Sequence, residues 1–148
     1  MTKLVPVLLA ALALAAACSG AEEASPATAL IATPAGEVRV DVELAETNDA
    51  RRAGLMNRES LPEESGMLFL YDGPASGGFW MKDTVIPLSI AFLDADGRIL
   101  RILDMEPCEA DPCPLYDPGV VYASALEVNR GAFERWGVEL GDRVRLER

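Results

Sequence analysis

Leu88-Ser89-Ile90-Ala91-Phe92-Leu93, then Asp94-Ala95-Asp96-Gly97, then Arg98-Ile99-Leu100-Arg101-Ile102-Leu103 is the stretch whose reading decides the fold. Two short apolar runs flank four residues in which Asp and Gly tolerate the left-handed backbone of a tight turn. That is β-hairpin chemistry. The turn also has the look of the opening of a calcium loop, but such a loop needs a Glu further on. Met105 stands at that position and Glu106 is one residue late, so the turn reading is preferred.

The same logic extends outward. Val38, Val40, Val42 and Leu44 alternate with polar neighbours, as one face of a half-buried strand does. Thr47 or Asn48 can cap a short helix through Asp49–Ala53, which Gly54 ends. Gly66–Tyr71 reads as a buried strand. Gly77-Gly78 breaks the chain before Phe79-Trp80-Met81. Cys108–Pro118 is crowded with prolines and predicts a loop. Val120–Val128 predicts another strand. Asn129 can cap a helix through Ala132–Trp136, with Gly137 in the stop position. Leu140-Gly141-Asp142 turns the chain into a last strand, Arg143–Glu147. Roughly seven short strands and two short helices imply a mainly β (α+β) domain. A compact curved antiparallel sheet or partly closed barrel fits that inventory best.

The amino-terminal segment is organised differently. Met1-Thr2-Lys3 precedes Leu4–Ala17, an apolar stretch without a charge that ends in three alanines. As a helix it would be about 21 Å long, short for a bilayer span. The pattern predicts a signal peptide over residues 1–17. Leu14-Ala15-Ala16-Ala17-Cys18-Ser19 resembles the lipobox of bacterial lipoproteins, with Ala15 where Leu is most frequent. The resemblance implies that Cys18 is lipidated; the alternative is plain cleavage that leaves Cys18 a free thiol. Several acyl chains would hold the protein at the membrane firmly. Ser19 after the Cys implies, by the same resemblance, the outer membrane facing the periplasm. Residues 18–30 are then a lipidated Cys and flexible tether, and residues 31–148 a single β-rich domain.

The chain has three Cys and no His. With Cys18 assigned to lipid, Cys108 and Cys113 remain as a pair, most simply a disulfide outside the cytosol. Metal binding by these thiols with Glu109 or Asp111 is the rival, but structural zinc usually wants four N or S ligands. Without His there can be no Ser-His-Asp triad, Cys-His dyad or His-ligated metal. Neither a metal nor another cofactor is expected. The formal net charge is −11, and loss of Lys3 with the leader makes it one unit more negative. Such a charge disfavours nucleic acid as a partner.

Several segments together resemble one family. They are Arg51-Arg52-Ala53-Gly54-Leu55-Met56-Asn57-Arg58, Gly66-Met67-Leu68-Phe69, and Phe79-Trp80-Met81-Lys82-Asp83-Thr84-Val85-Ile86-Pro87-Leu88. Ala125-Leu126-Glu127 and Gly141-Asp142 follow in order. Their spacing is similar to that of the domain-of-unknown-function 192 family of small prokaryotic proteins, over about residues 33–146. The resemblance implies a compact β-rich fold, often behind a leader, and no established activity. Asp83 stands where the family usually has Asn, and Ser89 where it usually has Asp.

Candidate binding residues are Arg51, Arg58, Trp80, Lys82, Asp83, Thr84 and Glu127. In an extended strand, Phe79, Met81 and Asp83 would share one side, and Trp80, Lys82 and Thr84 the other. Trp80 beside a Lys and a hydroxyl suits a sugar ring; the alternative is Trp80 in the core with Lys82 paired to a carboxylate. Arg51 and Arg58 could grip a carboxylate or phosphate, or form surface ion pairs. Asp83 and Glu127, if they converge, would make an acid/base pair. Three functions follow. The first is an envelope-tethered binding module for a glycan or small anionic ligand. The second is a structural or assembly lipoprotein acting through a protein partner. The third is a His-free hydrolase using Asp83 and Glu127.

Overall fold

The computed structural model describes residues 25–148. The leader expected over residues 1–17 and the lipidation expected at Cys18 lie outside these residues. Nine strands and two short helices occur along the described chain. They are β1 (Ser25–Thr33), β2 (Gly36–Ala45), α1 (Asn48–Ala53), β3 (Ser65–Ala75), β4 (Phe79–Trp80) and β5 (Leu88–Leu93). After these come β6 (Ile99–Met105), β7 (Leu115–Tyr116), β8 (Tyr122–Asn129), α2 (Ala132–Arg135) and β9 (Arg143–Glu147). Seven strands form one sheet in the order β6-β5-β8-β3-β2-β1-β9, and β4 and β7 make a second, small one.

The hairpin that anchors the sequence reading is present as β5 and β6. Asp94 Oδ1 accepts the Asp96 and Arg98 N–H groups at 2.9 Å each, so the acidic side chain ties the turn. Gly97 (φ 76°) tips it, and a Cβ there would lie 2.2 Å from the Val144 carbonyl oxygen. That close approach is functional for the fold. Val144 N donates to Gly97 O at 2.8 Å and Ile99 N to Asp142 O at 2.9 Å, joining the β5–β6 turn to the start of β9. The sheet therefore curls into a half-barrel whose two edge strands meet at one end.

Every pairing in the large sheet is antiparallel except β2 with β3, which run parallel. Parallel neighbours need a crossover, and α1 with the segment after it supplies one. Thr47 caps α1 by accepting the Ala50 N–H at 3.1 Å, as expected. Three expectations need correction. Ser25–Leu30, read as part of a tether, belongs to β1, which pairs with both β2 and β9. The proline-rich stretch 108–118 contains β7 as well as the expected Cys108–Cys113 disulfide. Asn129 does not cap α2: Gly131 does, while the Asn129 amide donates to the Leu61 and Pro62 carbonyls.

Both faces of the central strands are buried, so the core has two parts. All seven strands of the large sheet supply the inner part, including Ile31, Val40, Leu68, Ala91, Ile99, Leu126 and Val144, with Phe133 of α2. The outer face of β3, β5 and β8 carries Met67, Phe69, Ile90, Phe92 and Ala125. Leu55, Met81 and Phe79 from the α1 and β4 regions cover it.

Candidate functional site

The alternation of β8 sends Leu126 and Val128 inward and Ala125 outward. Glu127 shares the outward face with Ala125. Its cross-strand neighbours are Met67 of β3 and Ile90 of β5, both buried and apolar. The Glu127 residue is 5% exposed. Its carboxyl makes no hydrogen bond or ion pair with another described residue. Every fully enclosed side-chain polar atom among the described residues does have a partner. An unpartnered carboxyl must therefore open onto space, and Glu127 lines a small pocket.

That pocket has a volume of about 40 Å³, room for one functional group and not for a ring. Gly54, Leu55, Met56, Phe69 and Phe79 form its apolar wall, and Thr84 and Glu127 are polar. Arg51, Arg52 and Trp80 stand around it. Burial pushes the Glu127 carboxyl up to about 8, because nothing nearby stabilises its charge. At neutral pH it is a carboxylic acid, able to donate one hydrogen bond as well as accept. Nearby Tyr71 has its hydroxyl pushed up by burial and by Tyr122.

Trp80, Thr84, Glu127 and Arg51 are thus brought together, but by a different local geometry from the expected strand. β4 is only Phe79–Trp80, and the chain then turns at Lys82-Asp83. Met81 and Thr84 are buried, whereas Trp80 is 50% exposed. Asp83 takes φ 54° and its carbonyl accepts the Asn57 N–H at 2.7 Å. Its side chain is exposed and does not line the pocket, so the Asp83–Glu127 convergence that the hydrolase reading requires is not assembled there. Lys82 pairs with Asp111 of the disulfide loop at 3.7 Å, its ammonium 5.8 Å from the Trp80 ring centre. Arg51 lines the pocket, but its guanidinium is committed. It donates to the Glu46 and Leu70 carbonyls at 2.6 Å each and to Asn48 Oδ1 at 2.7 Å. Arg58 lies outside the pocket in a bidentate pair with Glu43, which raises its already high pKa mainly through the hydrogen bond. The two arginines therefore do not form one anion clamp.

Two of the larger hollows among the described residues differ in kind. One, about 370 Å³, is lined by Ser89, Asp104, Phe133, Glu134 and Glu139 among others. Ser89 is satisfied within the fold: its hydroxyl donates to Asp104 Oδ1 at 2.5 Å and accepts the Gly131 N–H at 2.8 Å. The other, about 450 Å³, is largely apolar and open beside Tyr71, Pro74 and Val121.

With this geometry in place, the sequence from residue 30 to 146 matches the domain-of-unknown-function 192 family, described as an uncharacterised ACR. The chain belongs to that family. No curated protein matches it. It is similar to the crystal structure of a candidate transcription regulator from Sinorhizobium meliloti, at 32% identity and a TM-score of 0.77. That likeness covers 86% of this chain and 98% of the other. A protein of unknown function from Novosphingobium aromaticivorans is similar at 31% identity and a TM-score of 0.74, over 92% and 93% of the two chains. For a domain-of-unknown-function 192 member, Asp83 in place of the usual Asn keeps a residue type that tolerates positive φ. Ser89 in place of the usual Asp keeps an acceptor for Gly131 N–H. Leu55, Met56, Phe69 and Phe79 were not among the expected site residues. The available signal was Glu127 itself, a lone acid inside the apolar run Ala125–Val128.

Proposed function

We propose that this protein is an exported, envelope-tethered binding module for a glycan, held by lipid at Cys18 and facing the periplasm. The observation that carries the ligand reading is the unpartnered Glu127 carboxyl opening onto a narrow well beside half-exposed Trp80. An indole face offers an apolar platform for a sugar ring, and the well takes one group projecting from it. The anionic-ligand alternative loses support, because Arg51 and Arg58 are already used within the fold. For the location, the leader pattern and lipobox resemblance are supported by the Cys108–Cys113 disulfide, which suits an oxidising compartment. The net charge of −11 weighs against carrying over a DNA-contacting role from the regulator-like neighbour.

One observation favours the protein-partner reading. Trp80 and Leu115 are cross-strand neighbours in the small sheet, and both are at least half exposed. A thermal-shift panel of soluble oligosaccharides separates the two. The glycan reading expects a rise in melting temperature that Trp80→Ala abolishes. A panel without any shift, alongside in-cell cross-linking to a protein at Trp80 or Leu115, would reverse the preference.

A further inference from the structure

We infer that the Glu127 well is built for an acetamido group, so that the ligand class is an N-acetylated hexosamine whose ring rests on Trp80. This rests on the glycan reading and sharpens it to one sugar chemistry. The well offers two surfaces. Leu55, Met56, Phe69 and Phe79 form an apolar wall, and Glu127 with Thr84 supplies the polar groups.

The charged groups around the well leave Glu127 unmatched. The Arg51 guanidinium is turned to Glu46 O, Leu70 O and Asn48 Oδ1. Arg52 lies 3.8 Å from Asp49. The cross-strand neighbours from β3 and β5, Met67 and Ile90, are apolar. Tyr71 is uncharged. An ionised carboxylate buried here would bear its desolvation cost without compensation. The group therefore presents an O–H, and the ligand atom that faces it is a hydrogen-bond acceptor.

An acetamido group brings both matching parts: a methyl for the apolar wall and a carbonyl oxygen for the acid. A bare hydroxyl leaves the wall uncovered, and a carboxylate would meet the buried Glu127 carboxyl with only the exposed Arg52, loosely paired to Asp49, at the rim to offset it. The volume of about 40 Å³ suits one such substituent and keeps the ring outside, over the indole. Thr84 Oγ1 makes only a long 3.3 Å bond to Lys82 O, so its oxygen stays available to accept the ligand's N–H.

The test is calorimetric titration of the full chain in detergent with the tetramer of N-acetylglucosamine and, separately, the tetramer of glucose. The acetylated tetramer should bind about tenfold more tightly, the value of one well-placed hydrogen bond and its packing. Trp80→Ala should weaken both. Glu127→Met should remove the preference, whereas Glu127→Gln, which keeps a donor, should retain it. Circular dichroism shows that each variant is folded, and the Gln variant carries the test if Met disturbs the site. Equal, Trp80-dependent binding of both tetramers would overturn the acetamido assignment and leave the glycan reading standing. A preference that survives Glu127→Met would overturn it too. Failure of both tetramers to bind would overturn the glycan reading and this inference together.

Discussion

The two faces of β8 have opposite chemistry. Leu126 and Val128 enter the inner core, where every strand of the large sheet contributes an apolar side chain. Ala125 and Glu127 face the outer core, which short elements cover: α1, β4 and the segments around them. The inner side is closed by pairing and by packing. The outer side is closed by loops, and it leaves a well with an acid in it. A protein can place a costly group more safely where the covering elements are short and adjustable than where seven strands converge. The difference between the faces thus locates the candidate site as clearly as any single residue does.

The comparison can be broken at its inner side first. Leu126→Ala should cost about 2–5 kcal/mol, because a cavity opens at a fully buried position in the inner core. Chemical denaturation measures this, and a loss below about 1 kcal/mol would contradict the packed inner core.

The outer side should respond to pH instead. The Glu127 carboxyl has its ordinary value of 4.5 in the unfolded chain and about 8 in the fold. Below pH 4.5 both states hold the proton. Between pH 4.5 and 8 the unfolded state releases it and the folded state does not, so stability falls across that window. The loss is on the order of 5 kcal/mol, about 1.4 kcal/mol for each pH unit of that window, and Glu127→Gln should remove it, leaving the variant more stable than the parent at pH 8. The difference between the two proteins isolates Glu127 from the general effect of negative charge. Parallel stability–pH curves would show that the carboxyl is solvated or paired.

The disulfide loop is the next test. Asp111 within it pairs with Lys82, which sits beside Trp80, and β7 just after it pairs with β4. Replacing Cys108 and Cys113 by Ala should cost about 2 kcal/mol, the value for a short closed loop. It should also change Trp80 fluorescence more than that of Trp136, which packs against Phe133 on the inner side. The variants Trp80→Phe and Trp136→Phe assign the signal. Thr47→Ala, which removes the α1 cap, should cost about 1 kcal/mol. Its effect on the oligosaccharide binding proposed above should be small, since only the end of α1 reaches the well.

The legible parts of the fold were those written in local chemistry. Asp94 and Gly97 announce the hairpin turn, Thr47 the helix cap, and Val38 to Leu44 a one-sided strand. β1 was hidden because Ser25–Thr33 is rich in small residues, carries Pro26 and follows a tether-like stretch. What makes it a strand is pairing with β2 and β9, which local sequence does not encode. β7 was hidden among prolines for the same reason. At the site, Trp80 and Thr84 read as sharing one strand face with Lys82, but strand alternation fails at the turn through Asp83, and the pocket groups Trp80 and Thr84 with Glu127 instead. Arg51 and Arg58, seven positions apart, would share a face only on one unbroken helix, and ion pairing was the alternative to an anion grip. α1 ends at Ala53, and each guanidinium finds acceptors in its own surroundings.

The most direct measurement is the protonation state of the Glu127 carboxyl. Carbon-detected NMR of side-chain-labelled Glu, assigned by loss of its signal in Glu127→Gln, follows that one group through a pH titration. The expected result is a carboxylic acid at pH 7 that titrates near 8 and shifts further upward when an acceptor ligand binds. A midpoint near 4.5 would mean that water or an unseen partner satisfies the charge, and the well would lose the donor on which the proposed function rests.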